Sequence, residues 1–343
     1  MNAVFLLFAL SHPLGQAEST LECIEREVSA VVEKARPSVV QVIGKAAGDG
    51  FQNIAEPAET KSSGFIVSAD GAILTDVGGI RTARQIFVLF HDGRRLEATV
   101  AGVDFTTAIA LLRVNAGGLK PVVFAEPGAI RQGAIAILIS NPAGLTHSSS
   151  VGFVSGVERS ISVGGVRYDD MLQTSAAVQS GDGGGLLANS RGLAVGMIHS
   201  RYVPDGLNPD PTGFLRPVPR NGFDFLPAGG PSIGFATPAS TLRFVAERLM
   251  KHGRVTRGWA GVAMRRATQY SIVTEVCKEG PAWKAGLRKD DKVLEFDGEP
   301  AVNLSTIRRK VIETVGSKPV KVRVLRAGAA VDLDLTIETE PGP

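Results

Sequence analysis

Cysteine is nearly absent from this chain of 343 residues: Cys23 and Cys277 are the only two. So distant a pair offers neither the ligand spacing of a Cys-rich metal site nor a disulfide framework, so both read as free or buried thiols and no metal or other cofactor is expected. Histidine is scarce as well, with His12, His91, His147, His199 and His252 scattered singly. The longest basic run is Arg308-Arg309-Lys310 and the formal net charge is +3. The dense cationic face of a nucleic-acid or polybasic membrane protein is therefore missing. The N-terminal apolar run from Ala3 to Leu10 is too short to cross a bilayer, and no integral membrane span is expected.

Turn formers, by contrast, are plentiful, with 40 glycines and 19 prolines. Long polar tracts are few, so this composition points to short strands joined by tight turns rather than to disorder or a coiled coil. Ala3 to Leu10 leads into Gly15-Gln16-Ala17, a small-x-small cleavage pattern. Residues 1–17 are expected to be a signal peptide, although no Lys or Arg precedes the apolar run. That implies a secreted or periplasmic protein. Ser19-Thr20-Leu21-Glu22 fits a capping box, and Leu21, Ile24, Val28, Val31 and Ala35 recur at helical spacing. A helix over 18–36, stopped before Pro37, follows.

From there the period changes. Val39 to Ile43, Gly64 to Val67, Ile86 to Phe90, Ile109 to Val114 and Ala134 to Ile139 read as strands, with Asp70-Gly71 and Asp92-Gly93 as hairpin turns. With no long helix between them, these runs argue for an antiparallel barrel or sandwich. Residues 201–231 interrupt the rhythm with prolines and glycines, yet carry Phe214, Phe223 and Phe225. They are expected to fold over a groove rather than extend into solvent. A strand at Ile233 to Ala236 and a helix carrying Leu242, Val245 and Leu249, capped by Gly253, close a domain over 37–253. Residues 254–343 read as a smaller α+β unit: a strand at Ser271 to Val276, a helix opened by Pro281, an Asp297-Gly298 turn, a helix from Leu304 to Val315 and a hairpin at Ala327-Gly328.

Four stretches in this order carry a family resemblance: Ser63 to Thr75 (SGFIVSADGAILT), Leu172 to Ala177 (LQTSAA), Ser232 to Pro238 (SIGFATP) and Gly280 to Leu287 (GPAWKAGL). The chain resembles the HtrA (DegP/DegS-like) family of secreted serine proteases. The resemblance implies a mainly β fold: a chymotrypsin/trypsin-like double β-barrel followed by an α+β PDZ domain. It also implies where a catalytic triad should stand, and there the chain departs from the pattern. Gly78 occupies the histidine position after Ile73-Leu74-Thr75, Ala108 the aspartate position, and Gly183 the serine position within Gly181-Asp182-Gly183-Gly184-Gly185. Neither glycine nor alanine can supply a nucleophile, a base or an orienting carboxylate, and triad members act as a unit.

Substitutes within the sequence are poor. His199 beside Ser200 is the nearest to a rescue, but neighbours on a strand point to opposite faces, so His199 reads as a barrel-edge histidine. Asp104 reads as a turn former bonded to nearby backbone amides, and Ser180, without a base, as a weak nucleophile. The Gly181 to Gly185 run precedes a strand rather than a helix, which excludes a phosphate loop. The backbone N–H groups of Gly181 and Gly183 could keep an oxyanion-hole shape, and collapse of so glycine-rich a loop is the alternative.

Trp259, Ala260, Gly261 and Val262 resemble the family's carboxylate-binding loop, where a peptide C-terminus adds as a strand. Trp259 reads either as a wall of that pocket or as a domain-packing anchor, and Trp283 as extra packing. The expected function is a non-catalytic scaffold binding C-terminal or unfolded peptide segments, as a homo-trimer or a hetero-trimer with active relatives. A serine endopeptidase with an unrecognised catalytic arrangement is the alternative.

Overall fold

The computed structural model describes residues 19–46, 59–126, 128–145, 147–163, 166–202, 233–302, 304–314 and 319–340. The expected leader and most of the 201–231 segment, including Phe214, Phe223 and Phe225, lie outside them. Helix α1 (Thr20–Ala35) starts with the capping box read from the sequence: Ser19 Oγ accepts from the Glu22 N–H and the Glu22 carboxylate accepts from the Ser19 N–H. Its C-terminal turns pack Val31 and Ala35 between the barrels, while Leu21 stays exposed.

Six strands, β1 (Val39–Lys45), β2 (Glu59–Ser68), β3 (Ala72–Asp76), β4 (Gln85–Leu89), β5 (Arg95–Asp104) and β6 (Ile109–Val114), close a first antiparallel barrel. A second six-stranded barrel is closed by β7 (Ile135–Ser140), β8 (Ser148–Val163), β9 (Val166–Thr174), β10 (Leu186–Ala188), β11 (Ala194–Tyr202) and β12 (Ile233–Pro238). Strand β6 shows why its sequence is an unbroken apolar run. Ala110 and Leu112 fill the first barrel, whereas Ile109 and Leu111 face the seam, where they join Ile137, Ile139 and Leu186 of the second. Both faces are buried, so no alternation with polar residues remains. Leu138, Leu172 and Leu187 fill the second barrel. Helix α2 (Ala239–His252) lays Leu242, Val245 and Leu249 on the seam and ends at Gly253, whose φ of 67° is a left-handed cap.

The C-terminal unit has its own core around Val273, Val293, Phe296, Ile307 and Val324. It contains β13 (Gly258–Trp259), β14 (Val262–Arg266), β15 (Ser271–Val276), α3 (Pro281–Lys284), β16 (Lys292–Phe296), β17 (Glu299–Pro300), α4 (Leu304–Glu313), β18 (Pro319–Arg326), β19 (Ala329–Thr336) and β20 (Glu338–Thr339). Its main sheet runs β14-β15-β16-β18-β19, so β14 is an edge strand among the described residues. Trp283 is half exposed rather than packed, which corrects its reading from sequence.

Two ionic contacts with the second barrel and one with the first hold this unit against the barrels. Arg266 reaches Glu158 at 3.8 Å and Arg308 reaches Asp169 at 3.0 Å. Arg257 clamps Asp104 with both terminal nitrogens, at 2.9 and 2.5 Å, and the Thr107 hydroxyl donates to the same carboxylate. Asp104 is thus a domain tie bonded through side chains, not the self-contained turn former expected from its neighbours.

Candidate functional site

The cleft between the barrels gathers the three positions that the resemblance assigns to a triad. β3 ends in Asp76, and the short turn Val77–Gly79 brings Gly78 directly after it; the Val77 N–H donates to the Ala108 carbonyl at 2.9 Å. Gly183 faces the same place from the loop before β10: a Cβ built on it would find the Asp76 Cβ and the His199 carbonyl oxygen nearest, each at 3.7 Å. A side chain the size of serine would fit there, and none is present.

Asp76 and His199 meet beside this position. One Asp76 oxygen caps the turn, accepting from the Gly78 N–H at 2.7 Å, and the other lies 2.5 Å from His199 Nδ1. The His199 side chain is fully buried and that of Asp76 is 4% exposed. His199 is therefore not the barrel-edge residue expected from strand alternation. Its backbone explains why: β11 pairs Ile198 with Ala236 and Ser200 with Phe235, so His199 is the extra residue of a β-bulge. A bulge interrupts the period of two. Ile198 enters the second barrel's core while His199 is also buried, across the seam from its own sheet. The Tyr168 ring packs on His199 with centroids 4.4 Å apart. Burial, with the Asp76 charge beside it, raises the Tyr168 phenol above its ordinary range.

The glycine loop is pinned by hydrogen bonds. The Gly183 carbonyl accepts from the Ser63 N–H and the Gly181 carbonyl from Ser63 Oγ, both at 2.9 Å, while the Gly184 N–H donates to Ile198. Gly184 needs its lack of a side chain, because a Cβ would stand 2.0 Å from the Ser63 carbonyl oxygen at a φ of +85°. Asp182 is buried and accepts from Ser140 Oγ at 2.7 Å and from the Gln179 N–H at 2.6 Å. Burial pushes its carboxyl upward despite those two donors. Ser180 is exposed on the loop's outer edge. His91 and His147 sit together elsewhere, with ring centroids 6.4 Å apart, and His252 ends α2. No group of three or more metal-binding side chains occurs among the described residues.

In the C-terminal unit, Trp259 to Val262 form the turn between β13 and β14. Gly261 has a φ of +67°, and the Trp259 ring covers Gly261 and Gly280 at distances that leave no room for Cβ atoms without adjustment. The Trp259 ring thus packs on Gly261 of its own turn and on Gly280. Helix α4 lies alongside β14.

Two closed antiparallel barrels meeting at such a cleft, followed by a sheet with one open edge beside a helix, define a trypsin-fold protein with an appended PDZ domain. Profiles described as a trypsin-like peptidase domain and a PDZ domain match residues 62–197 and 258–337. The chain belongs to the HtrA family. It is 30% identical over 293 residues to a probable periplasmic serine endoprotease DegP-like of Chlamydia trachomatis, covering 82% of this chain and 54% of that protein. It is 28% identical to the protein of the same description in Halomonas elongata, covering 85% and 59%. The chain thus spans a little over half the length of these curated relatives. Among solved structures, the HtrA-type protease AlgW with tripeptide matches with a TM-score of 0.71 at 26% identity, covering 92% of this chain and 98% of that one. The serine endoprotease from Yersinia pestis matches at 0.59 and 27%, with 92% and 98% covered.

Asp76 was the residue that sequence reasoning missed. Its signal was its place two residues before Gly78, combined with a histidine on a strand of the other barrel.

Proposed function

We propose that this chain is a non-catalytic HtrA-type protein that binds peptide segments, chiefly free C-termini, through its PDZ domain. The observation that carries this reading is the cleft: Gly183 offers no hydroxyl, and the one imidazole nearby among the described residues is closed off from solvent and committed to Asp76 through Nδ1. Acyl transfer by the serine mechanism needs a hydroxyl, a base within its reach and an orienting carboxylate. The position where the fold places the nucleophile carries no hydroxyl for this pair to activate. Support for peptide binding comes from the open edge of β14, the adjoining Trp259 to Val262 turn and the helix beside them. The periplasmic designation of its relatives supports the same compartment here. A trimer, alone or with active relatives, is in keeping with the family.

The test is an assay of the purified chain on unfolded casein and with a fluorophosphonate probe. Neither turnover nor labelling is expected, and stoichiometric labelling of any serine would overturn the non-catalytic reading. For the PDZ domain, peptides with free C-termini should bind and their amidated forms should not, because amidation removes the charge that the backbone amides solvate.

A further inference from the structure

We infer that the PDZ groove selects peptides bearing acidic residues a short way upstream of their C-terminal carboxylate, an inference that rests on the peptide-binding reading above. Strand β14 starts at the Trp259 to Val262 turn and leads away from it to Arg265 and Arg266. Val262 and Met264 pack on the domain core, whereas Arg265 and Arg266 are exposed, and β14 contains no acidic residue. An antiparallel peptide whose carboxylate is held at the turn runs back along this edge. Its residues about three to five positions before the C-terminus then lie opposite the two arginines.

One contact within the chain shows that this end of β14 attracts a carboxylate: Arg266 faces Glu158 of the β8–β9 hairpin at 3.8 Å. The contact is beyond hydrogen-bond reach and involves an Arg266 side chain that is 64% exposed, so an incoming carboxylate can compete for it. Arg265 makes no ion pair among the described residues. The acidic residue of the adjacent strand β15 is Glu275, which pairs with Ala263 closer to the turn. An acidic ligand residue therefore meets one uncommitted guanidinium and one weakly held one. For exposed partners, each such pair raises affinity about two- to five-fold, and the gain fades with salt.

The experiment uses the full chain and dye-labelled peptides that share an apolar C-terminal tripeptide and differ only in two upstream residues: Glu-Glu, Gln-Gln or Lys-Lys. Fluorescence anisotropy should rank them in that order, with Glu-Glu about five- to ten-fold tighter than Gln-Gln at low ionic strength. The gap should close at high salt. In the Arg265→Glu/Arg266→Glu variant the order should invert while the Gln-Gln peptide keeps its affinity; the milder Arg265→Gln should reduce the gap, and both variants are checked for unchanged thermal unfolding. Equal affinities for Glu-Glu and Gln-Gln, or a preference untouched by charge reversal, would overturn the inference and leave peptide binding standing. Failure of all three peptides to bind, or equal binding of their amidated forms, would instead remove the peptide-binding reading on which it rests.

Discussion

His199 Nδ1 lies 2.5 Å from Asp76 Oδ2, so a histidine from the second barrel and an aspartate from the first meet across the cleft with almost no solvent contact. A buried pair of this kind is held by its mutual satisfaction: taking away one partner strands the other in a low-dielectric site. Asp76→Ala is expected to cost about 3 kcal/mol of stability, measured by chemical denaturation. His199→Ala should cost a similar amount, because it strands the buried Asp76 carboxylate, and the double variant should cost clearly less than the sum. Additive losses would show that the two residues do not act as a unit.

Restoring the hydroxyl alone should not restore chemistry. The position has room, since the nearest atoms to a Cβ on Gly183 lie 3.7 Å away, so Gly183→Ser is expected to fold with stability within about 1 kcal/mol of the parent. Its hydroxyl would face the Asp76 side chain, with no base at position 78. Casein turnover and fluorophosphonate labelling should both stay at background. Labelling of Ser at this position would mean that Asp76 and His199 can serve as a base pair, and the non-catalytic reading would need to be confined to the unaltered chain.

Much of the architecture could be read directly from the residues, and the failures are instructive. Asp70-Gly71, Asp92-Gly93 and Ala327-Gly328 are turns at the expected places, and α1, β6, β15 and α2 occupy the expected runs because their apolar periods are strong. Strands β5, β8 and β9 were not legible: β5 and β8 are long and half exposed, and all three are interrupted by register shifts, so neither alternation nor an apolar run marks them. His199 failed for the same reason on a smaller scale. Sequence alternation assumes a regular strand, and the bulge that aims this side chain is set by pairing with β12 rather than by any local residue pattern. The Asp104–Arg257 tie joins residues 153 positions apart, and only the folded chain brings them together.

That tie yields a further expectation. Asp104 and Arg257 are both nearly buried and bonded through two nitrogens, so Arg257→Ala leaves a carboxylate with only the Thr107 hydroxyl for support. The loss should be about 3 kcal/mol, and it should fall on the contact between the barrels and the PDZ domain. In calorimetry, a PDZ transition should then separate from that of the barrels. One shared transition at a lower temperature would place the energy of this pair within the barrels instead.

Acid titration should separate two carboxyls with opposite displacements. Burial raises Asp182, so its contribution to stability is full below the ordinary carboxyl value near 3.8 and is lost as pH rises through its elevated folded value. Asp291 is also buried, which by itself would raise it, but the Arg326 guanidinium at 2.7 and 2.8 Å and the Arg288 N–H outweigh that and hold it below 3.8. Its contribution is present above 3.8 and is lost as pH falls through the depressed value. Asp291→Asn should therefore destabilise the PDZ domain at neutral pH and flatten its loss of stability in acid. Asp182→Asn, which removes the charge that burial penalises but sets an amide against the Ser140 and Gln179 donors, should make barrel stability less dependent on pH above 3.8 whatever its net effect at neutrality. Barrel unfolding followed by tryptophan-independent circular dichroism from acid to neutral pH decides the matter: an Asp182→Asn profile parallel to that of the parent would show that this carboxyl is not displaced.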